Sequence, residues 1–195
     1  MKLSQFLNYF KFYKNGNIKY IPTCWEDDYC QVELIPRENQ VFTRQQVEDA
    51  NLFAEDHKTE FGYTAVFIRE GNPIKTISKE IRADYLRSTL ISFELPELRR
   101  VRYEGGGSKS LRGSKIYAFG IPCFTVFFDT EDEFVKNIWV KFNLITSINE
   151  FDIILSSLYN LGVGNDLMLV DWDSDDIIDI QNKNQIRNYL AEWQR

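Results

Sequence analysis

The sequence predicts an α+β fold in which helices pack against a mainly antiparallel sheet, and three observations support this class. Apolar residues recur every three or four positions in some segments and every second position in others, so both helices and strands are expected. These segments do not alternate regularly, as a doubly wound parallel sheet would require. Hydrophobic residues make up 44% of the 195-residue chain. This is ample for one core, and residues 1–195 are therefore predicted to form a single domain.

The N-terminal half of the chain is predicted to contain two helices and several extended segments. Apolar residues between Leu3 and Phe10 recur at helical spacing, and a second amphipathic helix is expected over 43–56. Strands are expected for "IKYIPTCW" and "YCQVELIP", on either side of an acidic turn at 26–28, and for "GYTAVFIRE" before a Gly-Asn-Pro turn. The stretch "LISFELPELRRVRYE" is predicted to be extended and interrupted at Pro96.

Two apolar stretches in the middle of the chain are predicted to be neighbouring strands. The segment "KIYAFGIPCFTVFFD" is the most apolar in the chain, and it is expected to form one central strand with a bend at Gly-Ile-Pro. The segment "FVKNIWVKFNLI" alternates apolar and polar residues, which is typical of a strand with one buried face. The two segments are expected to pair with each other.

The C-terminal third carries the clearest signals. A helix is expected to start after Ser147, which forms a capping box with Glu150, and to end at Gly162. Residues 166–180 follow as a hairpin, with "DLMLVDW" and "DIIDI" as strands and "DSD" in the turn. Asn182 is expected to cap the closing helix. The apolar face of that helix consists of Ile186, Tyr189, Leu190 and Trp193.

The charge of the chain is unevenly distributed. The 23 basic and 29 acidic residues give a net charge of −6. Residues 98–115, "LRRVRYEGGGSKSLRGSK", form a basic, glycine-rich loop segment of charge +5, so the rest of the chain carries −11. An acidic body repels phosphates over most of its surface. Direct binding to nucleic acid is therefore not expected, whereas a basic protein is a suitable partner.

The hairpin at 166–180 contains six aspartates and no basic residue, which suggests a metal site, a catalytic carboxylate cluster or a surface for a basic partner. Asp171, Asp173 and Asp175 have the one–three–five spacing of a calcium loop. Such a loop also needs glycine at its sixth position and glutamate at its twelfth, where this chain has Asp176 and Asn182. We therefore predict an aspartate-rich turn without a metal ion.

The acidic turns are the candidate partner-binding surface. A second acidic group lies between the two apolar strands of the central region. The predicted contact residues are Asp171, Trp172, Asp173, Asp175, Asp176, Glu131, Asp132 and Glu133.

No catalytic or cofactor motif is found in the sequence. The chain has one histidine, His57, and three cysteines that lack the spacing of a zinc or redox site. The segment "GGGSKSLRG" does not match a phosphate-binding loop, because Ser108 separates the last glycine of its run from Lys109. We predict a protein that is not an enzyme and binds no cofactor. With no apolar run long enough to span a membrane and no signal peptide, we expect it to be cytoplasmic, with reduced cysteines.

Two stretches of the C-terminal half resemble bacterial immunity proteins of polymorphic-toxin and contact-dependent growth inhibition systems. They are "SKIYAFGIPCFTVFF" and "EFDIILSSLYNLGVGNDLMLVDWDSDDIIDIQNKNQIRNYL", and the similarity is one of residue types along a helix, an acidic hairpin and a closing helix. The first hundred residues do not take part in it.

This resemblance implies a small, acidic, cytoplasmic inhibitor that neutralises the toxin domain of sibling cells, commonly a nuclease with a basic cleft. An acidic surface suits that role, because it attracts a cleft that binds phosphates. The +5 segment departs from simple nucleic-acid mimicry. Two alternatives remain: an adaptor that binds another protein through the acidic surface, and a nucleic-acid-associated protein acting through residues 98–115.

Overall fold

The computed structural model describes residues 20–24, 29–103 and 107–194. Within these ranges it contains four α-helices and eleven strands with mostly antiparallel pairing, which confirms the α+β class. The helices are α1 (Gln40–His57), α2 (Ala83–Ser92), α3 (Ile148–Asn165) and α4 (Lys183–Ala191). The strands are β1 (Thr23–Cys24), β2 (Val32–Pro36), β3 (Lys58–Thr59), β4 (Gly62–Tyr63), β5 (Arg100–Tyr103), β6 (Ser108–Ser110), β7 (Ile116–Ile121), β8 (Phe124–Glu131), β9 (Phe134–Phe142), β10 (Leu167–Asp171) and β11 (Asp176–Ile178).

A six-stranded sheet in the order β11-β10-β2-β9-β8-β7 forms the centre of the fold. All of its neighbouring strands are antiparallel. Strand β2 lies between the C-terminal hairpin and the β7–β9 meander, so that Leu34 is paired with Leu169 on one side and with Ile138 on the other. The position of β2 therefore connects two parts of the sheet that are separate in sequence.

The inner face of this sheet and helices α2, α3 and α4 enclose the main core. Side chains alternate along each strand, and Leu34, Phe128, Ile138 and Leu169 point to this face and are fully or almost fully buried. The helices contribute a complementary set of fully buried residues: Leu86, Leu90, Ile154, Leu158, Leu161, Ile186 and Leu190. Burying each such side chain stabilises the fold by roughly 1.5–3 kcal/mol relative to exposure.

A second, smaller core lies on the outer face of the sheet, near β7, β8 and β9. Its buried members are Cys24, Leu98, Val101, Ala118, Phe127 and Trp139. It is covered by a three-stranded sheet in the order β1-β5-β6, in which β1 pairs with β5 in parallel and β6 pairs with β5 antiparallel. The outer face is thus apolar at the meander end of the sheet.

The helix signals in the C-terminal third are largely confirmed. Ser147 Oγ accepts a hydrogen bond from the Glu150 backbone N–H at 3.2 Å, and Asn182 Oδ1 accepts one from Asn184 N at 3.0 Å. The expected end of α3 is wrong, because the helix continues past Gly162 to Asn165. Gly162 lies instead where Ile180 approaches the helix, and a Cβ there would stand 2.7 Å from Ile180 Cγ1.

The apolar segment "KIYAFGIPCFTVFFD" forms a hairpin, so the prediction of a single central strand is wrong. Strands β7 and β8 are joined by a tight turn at Pro122 and Cys123, and Ile121 is paired with Phe124. Gly120 permits this turn, since a Cβ at its position would overlap the Phe124 carbonyl oxygen. The predicted pairing of β8 with the following strand is confirmed.

Several predictions for the first hundred residues are wrong. The stretch "GYTAVFIRE" is a strand only at Gly62–Tyr63, because no strand of the described residues pairs with its remainder. Helix α2 was not predicted and takes up the start of "LISFELPELRRVRYE". Helix α1 begins at Gln40, before the expected 43. The two strands expected on either side of residues 26–28 are present as β1 and β2, and they belong to different sheets. The predicted helix at 3–10 and acidic turn at 26–28 lie outside the described residues.

The contact between Gly162 and Ile180 gives a test of the packing between α3 and the end of the hairpin. We expect Gly162→Ala to lower the free energy of unfolding by about 1–3 kcal/mol, because the added methyl group overpacks a buried site. Gly164→Ala is the matched control in the same helix, where the nearest atom to a new Cβ is Tyr85 Oη at 3.7 Å. It should raise stability by up to about 1 kcal/mol, as removal of a helical glycine usually does. Urea denaturation of both variants measures the difference, and equal effects would contradict the packing argument.

Candidate functional site: the acidic tip and the adjacent cavity

The predicted acidic hairpin is present, and its turn presents carboxylates to solvent. Strand β10 ends at Asp171 and β11 begins at Asp176, with Asp171 paired to Asp176. We refer to residues 172–176 as the acidic tip. Asp173 and Asp175 are exposed there, and Asp175 has φ 58°, a left-handed conformation that aspartate tolerates better than most residues. The acidic tip therefore has a defined turn conformation.

Asp171 belongs to the interior of the protein, so its predicted role as a contact residue is wrong. Its side chain is only 4% exposed. Tyr189 Oη donates a hydrogen bond of 2.7 Å to Asp171 Oδ2, and the Asp173 backbone N–H donates one of 3.0 Å to Oδ1. Burial, together with this bond to Asp171, raises the pKa of Tyr189, which therefore stays a donor at neutral pH. The carboxylate ties the tip to helix α4.

Trp172 ties the acidic tip to strand β2 on the other side. Its Nε1–H donates a hydrogen bond of 2.8 Å to Glu33 Oε1, and its backbone N–H donates one of 3.0 Å to the Gln31 carbonyl oxygen. Gln31 Nε2 also donates a hydrogen bond of 2.7 Å to Asp173 Oδ1. The tip is thus held on both sides by side chains of other elements, which preorganises its charges.

The second predicted acidic group is at the turn between β8 and β9 and is not adjacent to the acidic tip. Glu131, Asp132 and Glu133 are all exposed. Glu133 pairs with Arg82 at 2.8 Å and Glu131 with Lys136 at 3.2 Å. These surface pairs reduce the local negative charge, so this group has a weaker field than its composition suggests.

A cavity of about 510 Å³ lies on the outer face of the sheet, between the two acidic groups. Its floor includes Glu33 and Ile35 of β2, and one wall is formed by Phe42 and Thr43 of α1. The residues that follow β4, 64–75, lie across it, and we refer to them as the covering segment. Trp172 of the acidic tip and Glu131 of the other turn both contribute to the lining. Sequence reasoning missed this cavity, because its lining comes from five separate parts of the chain.

Glu33 is the main charged group within this cavity. Its carboxylate accepts hydrogen bonds from Trp172 Nε1 and from the thiol of Cys30. Burial nevertheless raises its pKa above the ordinary value, although Trp172 and the positive charge of Arg69 oppose that rise. The alternation of "QVELIP" places Glu33 on the opposite face of the strand from Leu34. Its partial burial could not be predicted, because it depends on residues distant in sequence.

Arg69 of the covering segment lies over the aromatic ring of Trp172. Its guanidinium carbon is 4.0 Å from the centre of the ring, which is the geometry of a cation–π interaction. Glu33, Trp172 and Arg69 thus form a cluster. The indole N–H of Trp172 donates a hydrogen bond to the Glu33 carboxylate, and the face of its ring contacts the Arg69 guanidinium group.

The covering segment is attached chiefly at its ends. Asn39, which is buried, donates from Nδ2 to the Ile74 carbonyl oxygen at 2.8 Å and accepts at Oδ1 from Ile74 N at 2.8 Å. At the other end, Thr64 N donates to the His57 carbonyl oxygen at 3.0 Å. Between these points no described residue forms a backbone hydrogen bond with Ala65–Pro73.

The cysteines and the histidine have structural surroundings. Cys24, Cys30 and Cys123 form no disulfide bond with one another, and burial raises the pKa of Cys30 and of Cys123 to about 12. Those two thiols are therefore protonated at neutral pH and are weak nucleophiles. His57 Nδ1 is 2.8 Å from the Phe53 carbonyl oxygen, and its ring stacks on Phe53 at 3.9 Å.

The basic segment 98–115 is a hairpin over much of its length, where the sequence predicted a loop. Arg100 is paired with Ser110 and Arg102 with Ser108, with Val101 buried between the two arginines. Residues 104–106 lie outside the described residues. The hairpin belongs to the smaller sheet, so the basic and acidic surfaces are carried by different sheets.

The described residues contain neither a cluster of metal ligands nor a membrane-spanning helix. Over residues 20–24, 29–103 and 107–194, no group of three or more histidine, cysteine or acidic side chains is placed to hold a metal ion. Within the same ranges, no helix has the length and apolar character needed to cross a membrane. No family model, characterised protein or solved structure was found that matches this chain.

The hydrogen bond between Tyr189 and Asp171 should be required for the stability of the acidic tip. Tyr189→Phe leaves Asp171 Oδ2 buried without its donor, so we expect the free energy of unfolding to fall by about 1–3 kcal/mol. Tyr159→Phe is the control, because the described residues give the Tyr159 hydroxyl no hydrogen bond and its ring contact with Lys183 is retained. Thermal unfolding of the two variants should separate them, and similar midpoints would contradict the assignment.

The half-buried carboxylate of Glu33 should lower the stability of the protein at neutral pH. Because its folded-state pKa is raised, the folded protein binds a proton more tightly than the unfolded chain, and the stability associated with Glu33 falls as the pH rises through that raised pKa. We therefore expect Glu33→Gln, which keeps an acceptor for Trp172, to be more stable than the wild type at pH 7. The difference should diminish below about pH 4.3, the ordinary pKa of glutamate. A destabilised variant at pH 7 would contradict this account.

Proposed function

We propose that this protein is a non-enzymatic inhibitor that binds a basic protein domain through its acidic tip, as an immunity protein that neutralises a toxin. One observation carries the proposal: Asp173 and Asp175 are exposed on a turn that Trp172 and Asp171 fix to two other elements. A partner that meets these carboxylates does not have to order a loop, and the entropic cost of binding is correspondingly lower.

The charge of the whole protein supports this orientation. The net charge is −6, and Asp175 forms no ion pair with any cation of the described residues. Exposed charges of one sign accelerate association with an oppositely charged cleft, and this effect weakens as salt shortens the Debye length to about 8 Å at physiological ionic strength. A nuclease toxin has such a cleft, because its substrate is a polyanion.

The nucleic-acid-associated alternative is favoured by one feature of the basic segment. Arg99, Arg100, Arg102, Arg112 and Lys115 are exposed and form no salt bridge with any described residue. Five cations of this kind could contact a polyanion or an acidic patch on the partner. The same experiment can distinguish the two surfaces.

We expect the double substitution Asp173→Asn with Asp175→Asn to slow association with the toxin domain. Asparagine tolerates the positive φ of Asp175 and keeps an acceptor for Gln31, so the fold of the tip is retained. The loss should appear mainly in the association rate and should diminish at high salt, since steering by exposed charges is screened. Surface plasmon resonance at two salt concentrations measures both properties, with a toxin domain identified by co-purification or from a neighbouring gene as the partner.

The matched control is Arg99→Gln with Arg100→Gln, which removes the same number of charges from the basic segment. It should leave association unchanged or slightly faster. Protection of cells that express the toxin domain is the functional readout. If the arginine variant abolishes binding and protection while the aspartate variant does neither, the basic segment is the contact surface. Absence of both binding and protection in the wild type would exclude the immunity function against that toxin.

A further inference from the structure

We propose that the cavity beside the acidic tip is a binding pocket for the guanidinium group of an arginine on the protein partner, at the position that Arg69 occupies in this structure. Arg69 would then be a resident ligand supplied by the protein itself, which the partner's side chain displaces. This inference rests on the proposed function, since it names the chemistry by which the same region recognises its partner.

Arg69 lies beside two groups that together suit a guanidinium group. The ring of Trp172 provides an aromatic face at 4.0 Å from the guanidinium carbon. Glu33 provides a carboxylate whose negative charge interacts with Arg69. An aromatic face beside a half-buried carboxylate is well suited to a planar cation that also donates hydrogen bonds, and arginine meets both requirements better than lysine.

The charges of the side chains that line the cavity also favour a cation as the ligand. The cavity is lined by three acidic residues, Glu33, Glu70 and Glu131, and by three basic residues, Arg69, Lys75 and Lys136. Lys136 is already paired with Glu131. When Arg69 leaves, the lining has one negative charge in excess, and Glu33 loses the nearby positive charge that compensates its burial. An incoming cation restores the balance.

The covering segment is weakly attached to the rest of the protein. Between the bonds at Thr64 and Ile74, its backbone forms no hydrogen bond with any described residue. Val66 is 85% exposed and Ile68 is 75% exposed, so these two side chains bury little apolar surface, whereas Phe67 contacts Phe53 with ring centres 5.6 Å apart. Segments with few buried contacts and no backbone hydrogen bonds open locally at low free-energy cost. Arg69 can therefore move away without disruption of the sheet.

The cavity is large enough for a ligand, and its lining includes a polar group without a partner. Its volume of about 510 Å³ is within the usual range of ligand pockets. Thr43 lines it and is 0% exposed, and its hydroxyl has no hydrogen-bond partner among the described residues. A buried hydroxyl without a partner is uncommon in folded proteins. A guanidinium group has five N–H donors with which to bond polar groups of such a lining.

The test uses the full chain and N-acetyl-arginine amide as the probe. The chain has four tryptophans, so the indole N–H signals in a two-dimensional NMR spectrum are few, and that of Trp172 can be assigned with Trp172→Phe. We expect the probe to shift this signal in a saturable manner. Arg69→Ala should bind the probe at least about fivefold more tightly than the wild type, because it lacks the internal competitor.

Two variants and two analogues make the outcome decisive. Arg87→Ala removes another arginine that lies over an aromatic ring, that of Tyr117 at 5.2 Å, and should bind the probe like the wild type. Glu33→Gln should lose probe binding while remaining folded, as its indole spectrum will show. N-acetyl-lysine amide should bind more weakly, and the neutral isostere N-acetyl-citrulline amide should not bind.

The proposal is overturned if Arg69→Ala binds the probe no better than the wild type, or if the citrulline analogue binds equally well. These outcomes are independent of any toxin, because the probe replaces the partner. If the probe binds as expected and no toxin domain does, the immunity function fails and the pocket stands. If a toxin domain binds with equal affinity to the wild type, Arg69→Ala and Glu33→Gln, the immunity function stands and the pocket is not used.

Discussion

Strand β2 connects two parts of the protein that are far apart in sequence, since it pairs with β9 along one edge and with β10 along the other. Its alternation places Leu34 in the main core and Glu33 on the outer face. A shift of the pairing by one residue would exchange these two faces. The packing of the helices and the chemistry of the cavity therefore depend on the same register, which the apolar side of β2 enforces.

Two carboxylates, the buried Asp171 and the half-buried Glu33, have different energetic roles. Asp171 is bonded by Tyr189 and by a backbone N–H, so its burial is compensated and it contributes to the hairpin. Glu33 is bonded as well, but burial still raises its pKa, which means that its charge is incompletely compensated. A protein that keeps an unfavourable buried charge often does so because function requires it. This contrast separates the structural carboxylate from the functional candidate.

Features that depend on residues close in sequence were predicted correctly, whereas features that depend on distant residues were not. The caps at Ser147 and Asn182 and the hairpin at 166–180 depend on residues close in sequence, and these predictions are confirmed. Beyond Gly62–Tyr63, the stretch "GYTAVFIRE" has strand-forming residues but no partner strand among the described residues, so propensity alone gave the wrong result. The end of α3 was misplaced because Gly162 accommodates a distant side chain, which local capping rules do not consider.

The candidate site shows the same limit more strongly. The exposed carboxylates of the acidic tip were predictable, because the turn follows from a run of aspartates between two apolar segments. The burial of Asp171 was not, since it depends on Tyr189 in another element. The pocket of Glu33, Arg69 and Trp172 combines residues from a strand, an irregular segment and a turn, and no periodicity or motif links them.

The pairing of residues 32–36 with residues 167–171 also has a consequence for synthesis on the ribosome. When β2 emerges, β10, which flanks it on one side in the final sheet, has not yet been translated. The β7–β9 meander can form early from local hairpins, but β10 can join the sheet only after helix α3 has been made. The complete sheet can therefore form only after residues 32–178 have all been synthesised, and such non-local closure is slow. Until then the apolar side of β2 is available to chaperones, so cellular levels of active protein will depend on folding capacity as well as on expression.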